Sequence, residues 1–336
     1  MGAIVVVDSL WGDAGKGKFS AYLCQKHNVS LCVRAGTSTN AGHSIYLRDG
    51  SSIILRQIPM GLLSKTTLLR VGSGVAVDPE IFLAETQRWQ VRDRIKVDFR
   101  CPIITKEDKE LEKLHPVMIK IDSTMSGGGS ARAKFVMRAA KQAKDIPQLH
   151  PYLADVAEEV NSYAAKGTIV IQGSQGTWMS LALSTDYPYV TSDNCTTASF
   201  IDDVGLSWKL IDKVVMLVKC LPTRVGEGPL PYEMSWEEIT SKGLQEYGVN
   251  TGRRRRKAFS IDFDKLKYAA MLNGPTEIAL TFCDHYDPDI KDQTQPSKIT
   301  ARLRSLIEKI EETVGAPVTL LDTGKWFDSI IDLSQN

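Results

Sequence analysis

The sequence predicts an α/β fold: a large, mainly parallel central sheet flanked by helices, with a P-loop-like turn after the first strand. Three observations predict it. Apolar, β-branched runs recur along the chain and end in glycine or a turn. Segments of helical composition separate them. The first run leads straight into Gly12-Asp13-Ala14-Gly15-Lys16-Gly17-Lys18. Strands covered on both faces read as continuous apolar runs, and helical crossovers make them parallel.

In chain order, residues 3–7 (AIVVV) suit a buried strand and 18–27 a helix. Residues 30–34 (SLCVR) and 52–58 (SIILRQI) suit strands. Helices are expected over 79–90, 136–146 and 151–166. Residues 168–176 (TIVIQGSQG) repeat the first design, a buried strand running into glycines. Further strands follow at 213–221 (KVVMLVKCL) and 277–283 (EIALTFC). An amphipathic helix at 298–313 precedes a strand at 317–321 (PVTLL). With no internal repeat, linker or low-complexity tract, residues 1–336 read as a single elaborated domain. Ligands on such sheets sit beyond the carboxyl ends of the strands.

The bulk numbers narrow the function classes. Hydrophobic residues at 43% and charged residues at 24% suit a globular protein with a sizeable core. The 41 basic and 40 acidic residues nearly cancel, which argues against nucleic acid or an anionic membrane as partner. Cys24, Cys32, Cys101, Cys195, Cys220 and Cys283 include no C-x-x-C pair, so zinc is not expected and a reduced, intracellular setting is. The opening MGAIVVVDSLWGD has too short an apolar run for a signal peptide or membrane anchor.

The loops after the strands carry the chemistry. Residues 12–18 match G-x-x-x-x-G-K, with Phe19 where a P-loop has Ser or Thr. Glycines let backbone N–H groups wrap an anion, and the helix N-terminus adds positive potential. Lacking that hydroxyl, the loop needs another group for magnesium, and Asp13 is the nearest carboxylate. The missing hydroxyl also argues against a regulatory P-loop GTPase. Thr39-Asn40-Ala41-Gly42-His43 places an amide and an imidazole in one turn. His43 is either a group that polarises a phosphate or acts as an acid, or surface decoration. Residues 123–130 (STMSGGGS) read as a second phosphate cradle or as a flexible loop. Gln172-Gly173-Ser174-Gln175-Gly176 is a purine-edge reader or a strand-end turn. Thr251-Gly252 followed by Arg253–Arg256 is the densest charge in the chain. Alone it reads as a solvated basic face or a nucleic-acid patch; arginine forks also hold small dianions. Two phosphate-type loops, a glutamine reader and an arginine cluster together imply a triphosphate beside a second anionic substrate.

These residues together resemble the adenylosuccinate synthetase family. Its W-G-D-E-G-K-G-K signature stands at Trp11–Lys18 with Ala14 for Glu. N-A-G-H is at 40–43, Y-P-Y-V-T-S at 187–192, T-R-V-G-x-G-P at 223–229 and T-G-R-R-R-R at 251–256. The resemblance spans the chain and implies an NTP-dependent carbon–nitrogen ligase with Mg2+ as cofactor. It implies that Asp13 takes the proton from purine N1 and touches Mg2+, with the Gly42 carbonyl nearby. His43 would stabilise the transferring phosphate, and Gln175 would contact the purine at the reacting centre. Gly12, Gly15, Lys16, Gly17, Lys18, Asp284, Thr323 and Gly324 would hold the triphosphate nucleotide. Asn40, Ser123, Thr124, Thr191 and Val225 would hold the mononucleotide, joined by Arg138 from the other subunit of a homodimer. Thr251, Arg253 and Arg255 would bind L-aspartate. Lys16 and Lys18 are expected to keep Asp13 ionised.

Several positions depart from that pattern: Ala14, Gln172, Ser174, Ser130 and Phe282, the last where Lys usually precedes the base-reading Asp284. Ala14, Ser130, Asn194-Cys195-Thr196 and Phe259-Ser260 resemble a bacteriophage branch that condenses aspartate with dGMP. Ala14 would make room for a guanine 2-amino group. The expected substrate is therefore dGMP, giving N6-succino-2-amino-2′-deoxyadenylate, with IMP as the alternative. Asp284 favours GTP as donor, and Phe282 leaves ATP or dATP open. The expected place is the cytoplasm, that of a host if the chain is phage-encoded.

Overall fold

The structure, a computed structural model, describes residues 1–248 and 252–334. In chain order its strands are β1 (Gly2–Asp8), β2 (Leu31–Arg34), β3 (His43–Tyr46), β4 (Ser52–Leu55), β5 (Leu68–Val71), β6 (Ile95–Asp98), β7 (Leu153–Ala154), β8 (Thr168–Gln172), β9 (Ile211–Lys219), β10 (Thr223–Arg224), β11 (Arg256–Lys257), β12 (Glu277–Thr281), β13 (Val318–Asp322) and β14 (Ile330–Asp332). The helices are α1 (Lys16–Lys26), α2 (Pro79–Arg88), α3 (Lys106–Leu114), α4 (Pro116–Lys120), α5 (Gly128–Val136), α6 (Val156–Lys166), α7 (Thr197–Val204), α8 (Trp236–Ser241), α9 (Phe263–Asn273), α10 (Cys283–Tyr286) and α11 (Ala301–Val314).

Ten strands form one sheet in the order β14-β13-β12-β9-β1-β8-β2-β5-β6-β7. Its pairings are parallel except β13–β14. The alternation of β1 explains its unbroken apolar run. Ala3, Val5 and Val7 join one buried cluster, while Ile4 and Val6 join another with Phe19 of α1. Both faces of the strand are thus covered, as a central parallel strand requires. β3–β4 and β10–β11 are small antiparallel pairs outside the sheet.

Local signals set most helix ends. Asp78 caps α2, accepting from the N–H of Glu80 and Ile81 at 3.1 and 3.3 Å, and Pro79 opens the helix. Thr105 and Asp108 form a capping box on α3. Among the described residues no helix is long and apolar enough to cross a membrane.

Three expectations shift, and strands β5 and β6 of the sheet were not expected at all. The helix expected over 136–146 lies instead at 128–136; Arg138 takes a left-handed φ of 62°, which turns the chain away. The helix expected from 151 begins at Val156, because Asp155 caps it and Pro151 belongs to a preceding 3-10 turn. The strand over 52–58 is only Ser52–Leu55 and pairs with β3, outside the main sheet. β5 and β6 extend the sheet although their sequences carry Arg70, Lys96 and Asp98; pairing and burial override the mixed composition.

Candidate active site

The loops beyond the carboxyl ends of β1, β2, β8 and β13 meet in one region. After β1 the chain passes through Gly12 (φ 99°), Asp13 (φ 56°) and Gly15 (φ 82°) before α1 begins. These left-handed residues fold the loop back over the helix N-terminus. Asp13 is the non-glycine member, a costly conformation that marks the position.

Asp13 Oδ2 is buried and ion-paired with Arg255 Nε at 2.7 Å. This corrects the expectation for the two lysines. Lys16 Nζ pairs with Asp8 at 3.0 Å and also donates to the Gln175 carbonyl. Lys18 Nζ pairs with Asp322 at 2.7 Å and donates to the carbonyls of Gly324 and Ser329 at 2.9 and 3.1 Å. The carboxylates ending β1 and β13 are buried and need these cations, so an arginine from residue 255 meets Asp13 instead.

His43 opens β3 and is buried beside Arg34, the last residue of β2. Arg34 contacts its ring, and the Gln172 amide contacts Nδ1. Burial foremost, then the positive Arg34 and Lys16, hold the His43 pKa well below 6.5, so the ring is neutral at pH 7. Arg34 Nη1 also lies 3.2 Å from Nε2, so both ring nitrogens face a donor, and the neutral ring is not an imidazolium acid. Burial lowers the Arg34 guanidinium to about 10. A Cβ on Gly17 would lie 2.8 Å from His43 Cβ, so α1 and His43 are in close contact.

Gln175 adopts φ 48°. Its Oε1 accepts from Ser174 and Thr37 at 2.6 and 3.4 Å, while its Nε2 is buried without a hydrogen-bond partner among the described residues. An orphaned buried donor is what a purine-edge contact would satisfy. Asn40 Oδ1 accepts from Thr37 and Ser38, and its Nδ2 donates to Thr191 Oγ1 at 3.4 Å. Gly128 approaches the same turn: a Cβ there would meet Ser38 Oγ at 2.3 Å.

The arginine run splits by alternation. Arg253 donates to Asp122 Oδ1 at 2.6 Å and to the Ser123 carbonyl, tying this loop to the 123–130 loop. Arg255 reaches Asp13. Arg254 lies over the Trp236 ring, and Arg256 pairs with Glu233 and donates to the Gly226 and Gly228 carbonyls. Thr251 lies outside the described residues.

The 123–130 loop is not an open backbone cradle. The N–H groups of Gly127, Gly129 and Ser130 donate to Glu112, and Thr124 Oγ1 donates to Ser126. Val225 is half-buried after β10, and Arg138 is exposed. By the first turn of α1, Asp284 lies near Lys18 and Asp322, and burial raises its pKa. Thr323 is fully buried and donates its hydroxyl to the Gln293 carbonyl at 2.7 Å. Ala14 is also fully buried and joins the apolar cluster of Phe19 and Met60.

Sequence reading missed Arg34, Glu112 and Glu246. The one signal for Arg34 was a charge closing an otherwise apolar strand. Glu246 accepts buried ion pairs from Lys219 and Lys257, and its carbonyl accepts from the Arg255 N–H at 2.9 Å. The charged partners Lys219, Lys257 and His285 hold its carboxyl well below the usual range against the upward push of burial.

A parallel sheet with a glycine-rich anion loop, a neutral histidine and an arginine turned onto the loop's carboxylate defines a nucleotide-binding α/β enzyme. The adenylosuccinate synthetase family profile matches residues 5–148 and 137–291. The adenylosuccinate synthetase of Pyrococcus horikoshii is 43% identical over 99% of this chain and 98% of its own. That of Archaeoglobus fulgidus is 44% identical over 99% and 98%. The fully ligated adenylosuccinate synthetase of Plasmodium falciparum superposes with a TM-score of 0.91, at 19% identity, over 99% of this chain and 100% of that one, which shows the shared fold. The succinoaminodeoxyadenylate synthetase of cyanophage S-2L, bound to dGMP and dATP, gives 0.83 at 25% identity over 99% and 95%. The chain belongs to the adenylosuccinate synthetase family and is a carbon–nitrogen ligase.

The family depends on Mg2+. Magnesium at a nucleotide site keeps water and substrate phosphates among its ligands and needs only one or two protein carboxylates. Asp13 Oδ2, buried with an ion pair but no hydrogen bond, fits that single ligand.

Proposed function

We propose that this chain joins L-aspartate to the 6-oxo carbon of IMP at the expense of GTP, giving adenylosuccinate. The observation that carries the reading is the contact of Asp13 with Arg255. It brings the carboxylate of the phosphate loop against the arginine loop proposed for aspartate. The curated archaeal relatives, named adenylosuccinate synthetases and alike over nearly their full length, favour IMP over dGMP. They lend no support to dGMP, ATP or a phage origin.

In this reading Asp13 accepts the N1 proton, and O6 attacks the γ-phosphorus as the bond to the β-phosphate oxygen breaks. The aspartate amine then adds at C6, loses a proton and expels inorganic phosphate with its electron pair. Neutral His43 hydrogen-bonds the transferring group, and Gln175 Nε2 meets the purine. Asp13 and the Gly42 carbonyl would hold Mg2+, which supplies charge neutralisation at the phosphates. The remainder is positioning, as phosphoryl transfer requires. Lys16, Lys18 and the glycines of the loop would face the triphosphate, with Asp284, Thr323 and Gly324 on its nucleoside side. Asn40, Ser123, Thr124, Thr191 and Val225 would hold the mononucleotide, and Thr251, Arg253 and Arg255 the aspartate.

We read the chain as a homodimer. Leu111, Leu114, Ile119, Val136 and Met137 are exposed on three helices that pack together, α3, α4 and the end of α5, beside Arg138. Such an apolar patch suits a second copy, which would receive Arg138. Six free, buried cysteines fit a reducing cytoplasm.

The test is turnover of IMP and of dGMP with aspartate, each with GTP and with ATP. Adenylosuccinate from IMP and GTP is expected. Preference for dGMP would replace this reading, and no succinylated product from either would end it.

A further inference from the structure

Helix α5 begins in a run of glycines. Its N-cap, Gly127, has φ 81° and no side chain with which to cap. Gly128 and Gly129 follow, so nothing local fixes the turn or satisfies the helix's first N–H groups. A remote side chain does so. Glu112, on α3 and 3% exposed, accepts from Gly127 through Oε2 at 2.7 Å. Its Oε1 accepts from Gly129 at 2.7 Å and from Ser130 at 3.2 Å. Hydrogen bonds to an ionised acceptor are the strong class.

The consequence extends past α5. With the loop held there, Gly128 lies so close to Ser38 that a Cβ would stand 2.3 Å from Ser38 Oγ. Ser38 Oγ in turn donates to Asn40 Oδ1 at 3.1 Å. On the other side, Ser126 accepts from Thr124 at 3.2 Å. The two turns proposed for the 5′-phosphate, 38–40 and 123–126, are therefore registered to one buried carboxylate.

We propose that Glu112 is a positioning residue for mononucleotide binding: its carboxylate caps α5 from α3 and thereby sets Thr124 and Asn40 for the 5′-phosphate. Because the carboxylate already fills the helix N-terminus, the phosphate is met by side chains rather than by these N–H groups. The inference rests on the reading that this loop receives a mononucleotide.

The experiment compares wild type, Glu112→Ala and Glu112→Gln in steady-state turnover of IMP, GTP and aspartate, with amide hydrogen exchange over residues 126–130. Glu112→Ala is expected to raise KM for IMP about tenfold or more, the scale of a lost preorganised geometry. KM for GTP should stay within about twofold if the cap acts only on this loop. Exchange at 127, 129 and 130 should quicken. Glu112→Gln should lie between, since its amide oxygen still accepts from Gly129 and Ser130 while its NH2 faces the Gly127 donor; it also serves if the alanine variant does not fold. An unchanged KM for IMP in a folded variant with quickened exchange makes Glu112 a fold cap only and overturns the proposal. A lowered KM makes it an anion that competes with phosphate, and also overturns it. Wild type that turns over no purine mononucleotide, with exchange responding as expected, would locate the failure in the reading of the reaction instead.

Discussion

Arg255 Nε stands 2.7 Å from Asp13 Oδ2, so two residues separated by most of the chain form the ion pair at the centre of the site. Arg255 is itself held from behind, its N–H donating to the Glu246 carbonyl. Asp13→Asn keeps the shape and removes the proton acceptor. It is expected to lower turnover by about 10²–10⁴ in steady-state assays at saturating Mg2+ and nucleotide. Activity close to wild type would remove Asp13 from the chemistry.

Lys18 has a structural partner before any phosphate arrives. Its side chain and that of Asp322 are 8% and 7% exposed, so Lys18→Met leaves a carboxylate buried alone. The expected loss is about 3–5 kcal/mol of unfolding free energy in the absence of nucleotide. Adding Asp322→Asn should recover part of it. Denaturant melts check both; a lysine that only awaited phosphate would show no loss.

Asp203 lies under Gly36, whose N–H donates to it at 2.8 Å. Burial, and then the negative charge of Asp193, raise its pKa from 3.8 to about 7, with Arg132 acting in the opposite direction and Asp202 adding to the rise. The folded state therefore binds the extra proton between those values. Stability from this group is present below pH 3.8, declines as pH rises and is lost above about 7. Asp203→Asn should flatten the dependence of Tm on pH across that window and leave the variant at least as stable as wild type at pH 8. A slope equal to wild type would count against it.

Arg138 provides the test of a shared site. Asp13→Asn and Arg138→Ala are each expected to be nearly inactive. Mixed after dissociation and reassociation, they should regain up to about a quarter of wild-type activity, since half the dimers are mixed and each has one intact site. No recovery would confine Arg138 to its own subunit or remove it from the reaction.

The sequence made the central strands legible because each is buried on both faces, as in β1, where Ile4 and Val5 enter different apolar clusters. It made the site legible where residues cluster locally, as at 12–18 and 40–43. Contacts set by tertiary packing were not legible. Nothing near Gly127 announces Glu112, and the charge run at 253–256 does not say that Arg255 is the one to meet Asp13. The lysines of the first loop were misassigned to Asp13 because their partners, Asp8 and Asp322, belong to strands that meet them only after folding. The helix placed at 136–146 was misread because a triplet of glycines argues against helix unless something distant supplies the cap.

The sheet ends in very short segments: β7 has two residues and the antiparallel β14 has three. Each rim thus presents few backbone amides and carbonyls able to recruit a foreign strand. A wide sheet of this kind would otherwise invite lateral growth into aggregates. Lengthening either rim with β-branched residues should make the protein prone to precipitation without touching its chemistry.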